Sequence, residues 1–145
     1  MRIVIDADGC PVVRIAVDCA LRHGIEPIIV CDSAHYFDIE GAQTITVTKG
    51  ADSADFRIVN MLFSGDIVVT QDYGLAAMAL ARRARVVNQN GMIYHDGNID
   101  SLLLSRHTAR EIRNSGGRLK GPSKRTSEQN AAFLRTLEAM IAASL

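Results

Sequence analysis

Five aspartates stand where a carboxylate can do chemistry: Asp6 and Asp8, Asp52 and Asp55, and Asp72. Asp6 and Asp8 follow a β-branched apolar run directly, and their alternation points both side chains to one side if strand geometry persists. Paired carboxylates at such a point make a hard-oxygen site suited to magnesium or manganese. Asp52 and Asp55 are three apart at a helix start and so share a face, and Lys49-Gly50 ahead of them allows a close approach. Asp72 lies between a strand-like run and a helix, repeating the arrangement at Asp6. Each acid also has a plain structural use, as an N-cap or as a first-turn partner of the helix dipole. Asp6, Asp8 and Asp72 are the candidate catalytic residues. The same three with Asp52 and Asp55 are the candidate metal ligands, one of the latter two sufficing. Asp66 precedes its strand, which puts it at the opposite sheet edge and outside the site. Cys10 lies close to the first acids, but no histidine is placed to activate it, so it reads as a packing residue.

The elements that must position these acids can be read from the apolar pattern. Residues 2–5, 27–30, 44–47, 66–70 and 85–88 have the length and composition of buried strands, about five in all. Between them fall amphipathic stretches at 12–22, 52–63 and 75–83, the second with Phe56, Val59 and Phe63 on one stripe. Pro11 suits the first turn of the first helix and Gly24 the position just past its end. Residues 32–41 read as loop, and residues 90–97, with Asn90-Gly91 and Asp96-Gly97, as a turn-rich excursion. A helix over 99–114 ends at Gly116-Gly117, and a basic loop follows at about 115–126. Thr126-x-x-Gln129 is a capping box that opens a docking helix at about 127–144, with Phe133, Leu137, Ile141 and Leu145 on one face. Strands alternating with helices predict a three-layer α/β/α domain over 1–145 with a mainly parallel sheet. Ligands then bind beyond the strand C-termini.

The chain has 145 residues, 48% of them hydrophobic, and a formal net charge of zero. Residues 1–81 carry 5 Lys/Arg against 11 Asp/Glu, whereas residues 82–125 carry 10 against 3. That split points to concentrated carboxylates in one part and an anionic partner for the other. Arg82, Arg106, Arg110, Arg113, Arg118, Lys120, Lys124 and Arg125 are the candidate phosphate-backbone contacts, with Arg106, Arg110 and Arg113 on one helix face. The bland alternative is a solvated helix face and loop. Three cysteines without C-x-x-C spacing suggest neither a disulfide framework nor a zinc site, so reduced thiols are expected, and the lack of a membrane-length apolar run or leader predicts a soluble cytoplasmic protein with no membrane partner. A homo-oligomer is compatible with the sequence.

Asp6-Ala-Asp-Gly-Cys-Pro, Gly50-Ala-Asp-Ser-Ala-Asp, Thr70-Gln-Asp-Tyr-Gly-Leu-Ala and the closing Gly121-Pro122 tract, in this order over nearly the whole chain, resemble the YaiI/YqxD family. That family is bacterial, largely uncharacterised and similar to PIN-like nucleases, which hold metal with an acidic cluster. The resemblance implies a PIN-like fold, with the family's acidic motifs falling on Asp6 and Asp8, on Asp52 and Asp55, and on Asp72. Its activity is carried over by analogy. The leading expectation is a nuclease using Mg2+ or Mn2+ on RNA or another phosphodiester. One rival is a phosphatase of haloacid-dehalogenase type with Asp6 as nucleophile and Asp8 as acid/base, although the Asp52/Asp55 helix has no place in that scheme. The other is a non-catalytic RNA-binding or regulatory protein.

Overall fold

A computed structural model describes residues 1–32, 37–48, 53–117 and 123–144. The apolar runs become strands β1 (Arg2–Asp6), β2 (Glu26–Asp32), β3 (Gln43–Val47), β4 (Ile67–Val69) and β5 (Arg85–Val87), joined by β6 (Ile93–Tyr94). Their order across the sheet is β3-β2-β1-β4-β5-β6, with every neighbouring pair parallel except β5 and β6. β1, β4 and β5 are buried on both faces, as a parallel sheet between helices requires. Helices α1 (Val13–Arg22), α2 (Ser53–Met61), α3 (Tyr73–Ala81), α4 (Asp96–Asn114) and α5 (Ser127–Ala142) supply the outer layers. Ile3, Ile5, Val69 and Val87 pack with α1 and α5 on one face. Val4, Val68 and Val86 pack with α2, α3 and the start of α4 on the other. The expected three-layer α/β/α architecture is the observed one.

Local signals account for the element ends. α1 closes in a Schellman motif: Ile25 N–H donates to Ala20 O at 2.8 Å, Gly24 N–H donates to Leu21 O at 3.2 Å, and Gly24 takes the required positive φ of 67°. At the start of α5, Thr126 Oγ1 accepts from Gln129 N–H and the Gln129 side chain accepts from Thr126 N–H. Thr126→Ala is expected to lower stability by about 1 kcal/mol. Urea unfolding that moves by less than the error of the fit would show that the cap contributes nothing. Phe133, Leu137 and Ile141 are buried, so α5 docks by the predicted face; Leu145 lies outside the described residues.

Three expectations are corrected. Of the predicted stripe Val59 packs against the core, beside Ile58 and, just past the end of α2, Leu62, while Phe56 and Phe63 are 56% and 69% exposed. Arg2, entering from β1, stacks its guanidinium 4.6 Å from the centre of the Phe63 ring, so that ring covers a cation at the surface. Residues 93–94 form a sixth strand, because Asn88 Oδ1 accepts from Asn90 N–H and Met92 N–H and folds the chain back antiparallel to β5. In that turn Gly91 has a φ of 87°, and a Cβ there would lie 2.6 Å from Ala132 O, so glycine lets α5 pass. Finally, α4 starts at Asp96, and Asp96-Gly97 is its first turn. His95 is the cap: its Nδ1 accepts from Gly97 N–H while its own N–H donates to Asn98 Oδ1.

Candidate functional site

β1 lies in the middle of the sheet, with β2 and β3 on one side and β4 on the other. The strand order therefore reverses between β1 and β4, and the place beyond their C-terminal ends is the usual ligand position in open α/β sheets. Asp6 is the last residue of β1, and Thr70 to Asp72 carry the chain from β4 into α3.

Thr70 joins the two strand ends. Its hydroxyl donates to Asp6 Oδ2 at 2.8 Å and accepts from Asp72 N–H at 3.0 Å. The Tyr94 hydroxyl donates to Thr70 O at 3.3 Å, and Gln71 Nε2 donates to Gly9 O at 2.8 Å, holding the two loops together. Thr70 was missed in the sequence reading. Its signal is a hydroxyl directly after the apolar run of β4, at a position that is buried here.

Asp6 is largely buried, and burial pushes its carboxyl up to about 6; the Thr70 hydrogen bond opposes this, while the charges of Asp55, Asp72 and Asp8 push further. Three of the other predicted acids are thus close enough to act on Asp6. Asp52 lies outside the described residues. Asp8 Oδ2 accepts from Asp32 N–H at 3.0 Å, tying the loop after β1 to the end of β2. Asp72 does serve as N-cap, its Oδ1 accepting from Gly74 N–H at 2.8 Å and Leu75 N–H at 3.1 Å. The same oxygen stands 3.5 Å from Arg106 Nη1, so one carboxylate oxygen both caps α3 and faces a cation on α4. Cys10 packs against the α1 side of the core, and burial pushes its thiol up to about 11, in keeping with a packing residue. Asp66 sits at the other end of β4, buried and ion-paired with Arg2 at 2.7 Å, as expected of an acid outside the site.

The basic residues separate by topology. α4 starts beside the N-terminal edge of β5 and rises past the sheet, bringing Arg106 level with Asp72. Arg110 and Arg113 follow on exposed turns, about 6 and 10 Å farther along the axis. Arg82 is the C-cap of α3, whose N-cap is Asp72, so it lies at the sheet edge away from Asp72 and Arg106. Arg125 donates from Nε to Asn130 Oδ1, from Nη1 to Asn90 Oδ1 and from Nη2 to Gln89 O, at 2.6–2.7 Å, clamping the β5–β6 turn to the start of α5. Lys124 is exposed, and Arg118 and Lys120 lie outside the described residues.

Residues 4–143 match the family described as uncharacterized YaiI/YqxD. The chain belongs to that family. A UPF0178 protein of Exiguobacterium sibiricum is 52% identical over 141 residues, covering 97% of this chain and 96% of the relative. UPF0178 proteins of Ruminiclostridium cellulolyticum and Clostridium kluyveri are 47% and 44% identical, covering 94% and 97% of this chain and 90% and 93% of theirs. No solved structure gives a significant match. In this YaiI/YqxD chain, among the described residues, no helix is long and apolar enough to cross a membrane.

Proposed function

We propose that this chain is a metal-dependent nuclease of PIN-like type that cleaves RNA. The observation that carries the reading is the placement of Asp6 and Asp72 at the sheet's switch point, joined through the Thr70 hydroxyl, where the charges of Asp55, Asp72 and Asp8 add to the burial that pushes Asp6 up to about 6. Negative charge concentrated at such a point is what a divalent cation relieves, and an all-carboxylate donor set fits magnesium or manganese. Asp6, Asp72 and Asp55 would hold the ion, with Asp8 beside them, after side-chain rotation draws them together, since among the described residues no three of these acids bring donor atoms within 4.8 Å of one another. A bound ion of this class would supply a Lewis acid to a phosphoryl oxygen and an activated water. The chain's own contribution is to fix the carboxylates. Thr70 holds Asp6 and the Asp72 backbone in one bond network, and the first turn of α3 holds the Asp72 side chain.

Arg106 supports a phosphodiester substrate, since it presents a cation within 3.5 Å of the acidic edge and Arg110 and Arg113 extend the same helix outward. The Arg106–Asp72 pair is solvent-exposed and worth little to folding. Arg106→Ala is therefore expected to leave the melting temperature nearly unchanged, to weaken binding of single-stranded RNA and to flatten the log-log salt dependence by about 0.7. Fluorescence anisotropy across a salt series measures it, and an unchanged slope would remove Arg106 from the substrate path. The direct test of the activity is incubation of the full chain with unstructured RNA and manganese. Cleavage abolished by chelation is expected; salt-dependent binding without cleavage would mean a non-catalytic RNA-binding protein instead.

A further inference from the structure

α1 and α5 cross on the sheet face away from α2, α3 and α4, and their contact holds a second cluster with different chemistry. Cys19 and His23 are one turn apart on the exit side of α1, and Glu138 faces them from α5. One donor atom from each lies within 4.8 Å of the other two, and among the described residues this is the one grouping of three metal-capable side chains that meets that limit. His23 Nε2 is 3.8 Å from Glu138 Oε2. The other carboxylate oxygen, Oε1, accepts from Arg22 Nη2 at 3.1 Å, so that ion pair leaves Oε2 facing the histidine. The Cys19 side chain is fully buried, whereas His23 is 34% and Glu138 43% exposed. The sulfur thus forms the floor of a shallow site, and the two movable donors form its mouth.

A thiol, an imidazole and a carboxylate on a stapled helix pair are a borderline-soft donor set, unlike the all-oxygen set at the other sheet edge. Magnesium has no use for a thiol, and zinc does. We propose that Cys19, His23 and Glu138 form a second metal site, selective for zinc-class ions, that ties α5 to α1 and leaves the fourth position to water. Zinc bonds of about 2.0–2.3 Å need donors closer together than they stand here, and rotation of the exposed His23 and Glu138 side chains toward the sulfur closes the gap. On binding, the Cys19 thiol gives its proton to solvent and its electron pair to the metal. Burial, reinforced by the Glu138 charge and opposed by Arg22, keeps the metal-free group a thiol, so the ion has to displace that proton. Thiolate and carboxylate then balance the two charges of the ion.

The site is tested on the full chain, stripped by chelation and titrated with cobalt(II) as a spectroscopic stand-in for zinc. Expected are one equivalent that carries a thiolate-to-cobalt charge-transfer band, apart from any taken up at the acidic edge, displacement of that equivalent by zinc, and a rise in melting temperature in the Asp6→Asn background, because the ion binds the folded chain. Cys19→Ser should lose the charge-transfer band. His23→Gln, at an exposed position that leaves the fold intact, should weaken binding by more than the roughly 10- to 100-fold that loss of an outer-shell partner costs. Asp6→Asn should retain the band, which keeps this outcome separate from that of the acidic edge. The proposal is overturned by the absence of a thiolate band in the wild type, by its persistence in Cys19→Ser, which would assign it to Cys10 or Cys31, or by unchanged affinity in His23→Gln.

Discussion

Asp6→Asn is expected to make the metal-free protein more stable at neutral pH and to abolish manganese-dependent RNA cleavage. Burial and three neighbouring carboxylates raise the folded-state pKa of Asp6 from 3.8 to about 6. An acid shifted in that direction contributes stability that is fully present below the unfolded value and is lost as pH rises through the folded one. The wild type should therefore lose stability between about pH 4 and pH 6, by up to about 3 kcal/mol, and stay lower above that range. Asparagine does not titrate, and its side-chain oxygen can still accept from Thr70. The variant should be flat over the window and melt on the order of 5–10 °C higher at pH 7. In manganese the order reverses, because the ion binds only the folded chain and needs the charge that asparagine lacks. Melting curves across pH with chelator and with manganese, beside a cleavage assay, decide it. A wild-type pH slope that survives in Asp6→Asn would place the perturbed group elsewhere, and a full manganese shift in the variant would take Asp6 out of the ion site.

The sequence made the acids legible because their positions depend on strand ends, and buried parallel strands have a strong local signature. β1, β4 and the capping positions of α3 and α5 follow from runs such as Ile3-Val4-Ile5 and from pairs such as Thr126 with Gln129. What escaped depends on partners far along the chain. β6 has two residues and exists because Val86 and Val87 are there to pair with it. Phe56 and Phe63 fit a helical stripe as well as Ile58 and Leu62 do, and only the approach of β1 and β2 to α2 selects the aliphatic pair. The basic segment shows the same limit. Arg82 and Arg106 look equivalent as charges, but α3 runs down from the acidic edge and α4 runs back up, so one finishes far from Asp72 and the other beside it. Cys19 has no C-x-x-C partner, so the sequence suggests no zinc site, and the grouping of Cys19, His23 and Glu138 arises only because two helices more than a hundred residues apart meet.

The largest loss of stability should come from the opposite end of the same strand pair. Asp66 is buried, and its two oxygens take three donors: Oδ1 accepts from Arg2 N–H at 3.0 Å, and Oδ2 accepts from Arg2 Nη2 at 2.7 Å and from Phe63 N–H at 2.9 Å. Burial alone would raise its pKa, but these bonds and the guanidinium charge outweigh it and hold the carboxyl below its ordinary value. The sign is the reverse of that at Asp6. Stability from Asp66 is present above the unfolded value of 3.8 and is lost as pH falls below it. Asp66→Ala removes the acceptor and leaves two backbone N–H groups and a partly buried guanidinium without it, a change that costs about 3–5 kcal/mol in comparable buried pairs. With stabilities of about 5–15 kcal/mol typical of folded domains, that is a large fraction of the total, and the urea midpoint should fall by on the order of 2 M. Asp66→Asn should also lose several kcal/mol, because an amide offers one accepting oxygen where three donors converge. The deficit of both variants relative to wild type should shrink as pH is taken below about 4, since protonation removes the same charge from the wild type. Asp6 and Asp66 lie at opposite edges of the sheet and share no bonded partner, so the double variant Asp6→Asn/Asp66→Asn should show the sum of the two single effects within about 0.5 kcal/mol. A deficit in Asp66→Ala that holds constant down to pH 3 would show that lost packing, rather than the lost carboxylate, accounts for the damage.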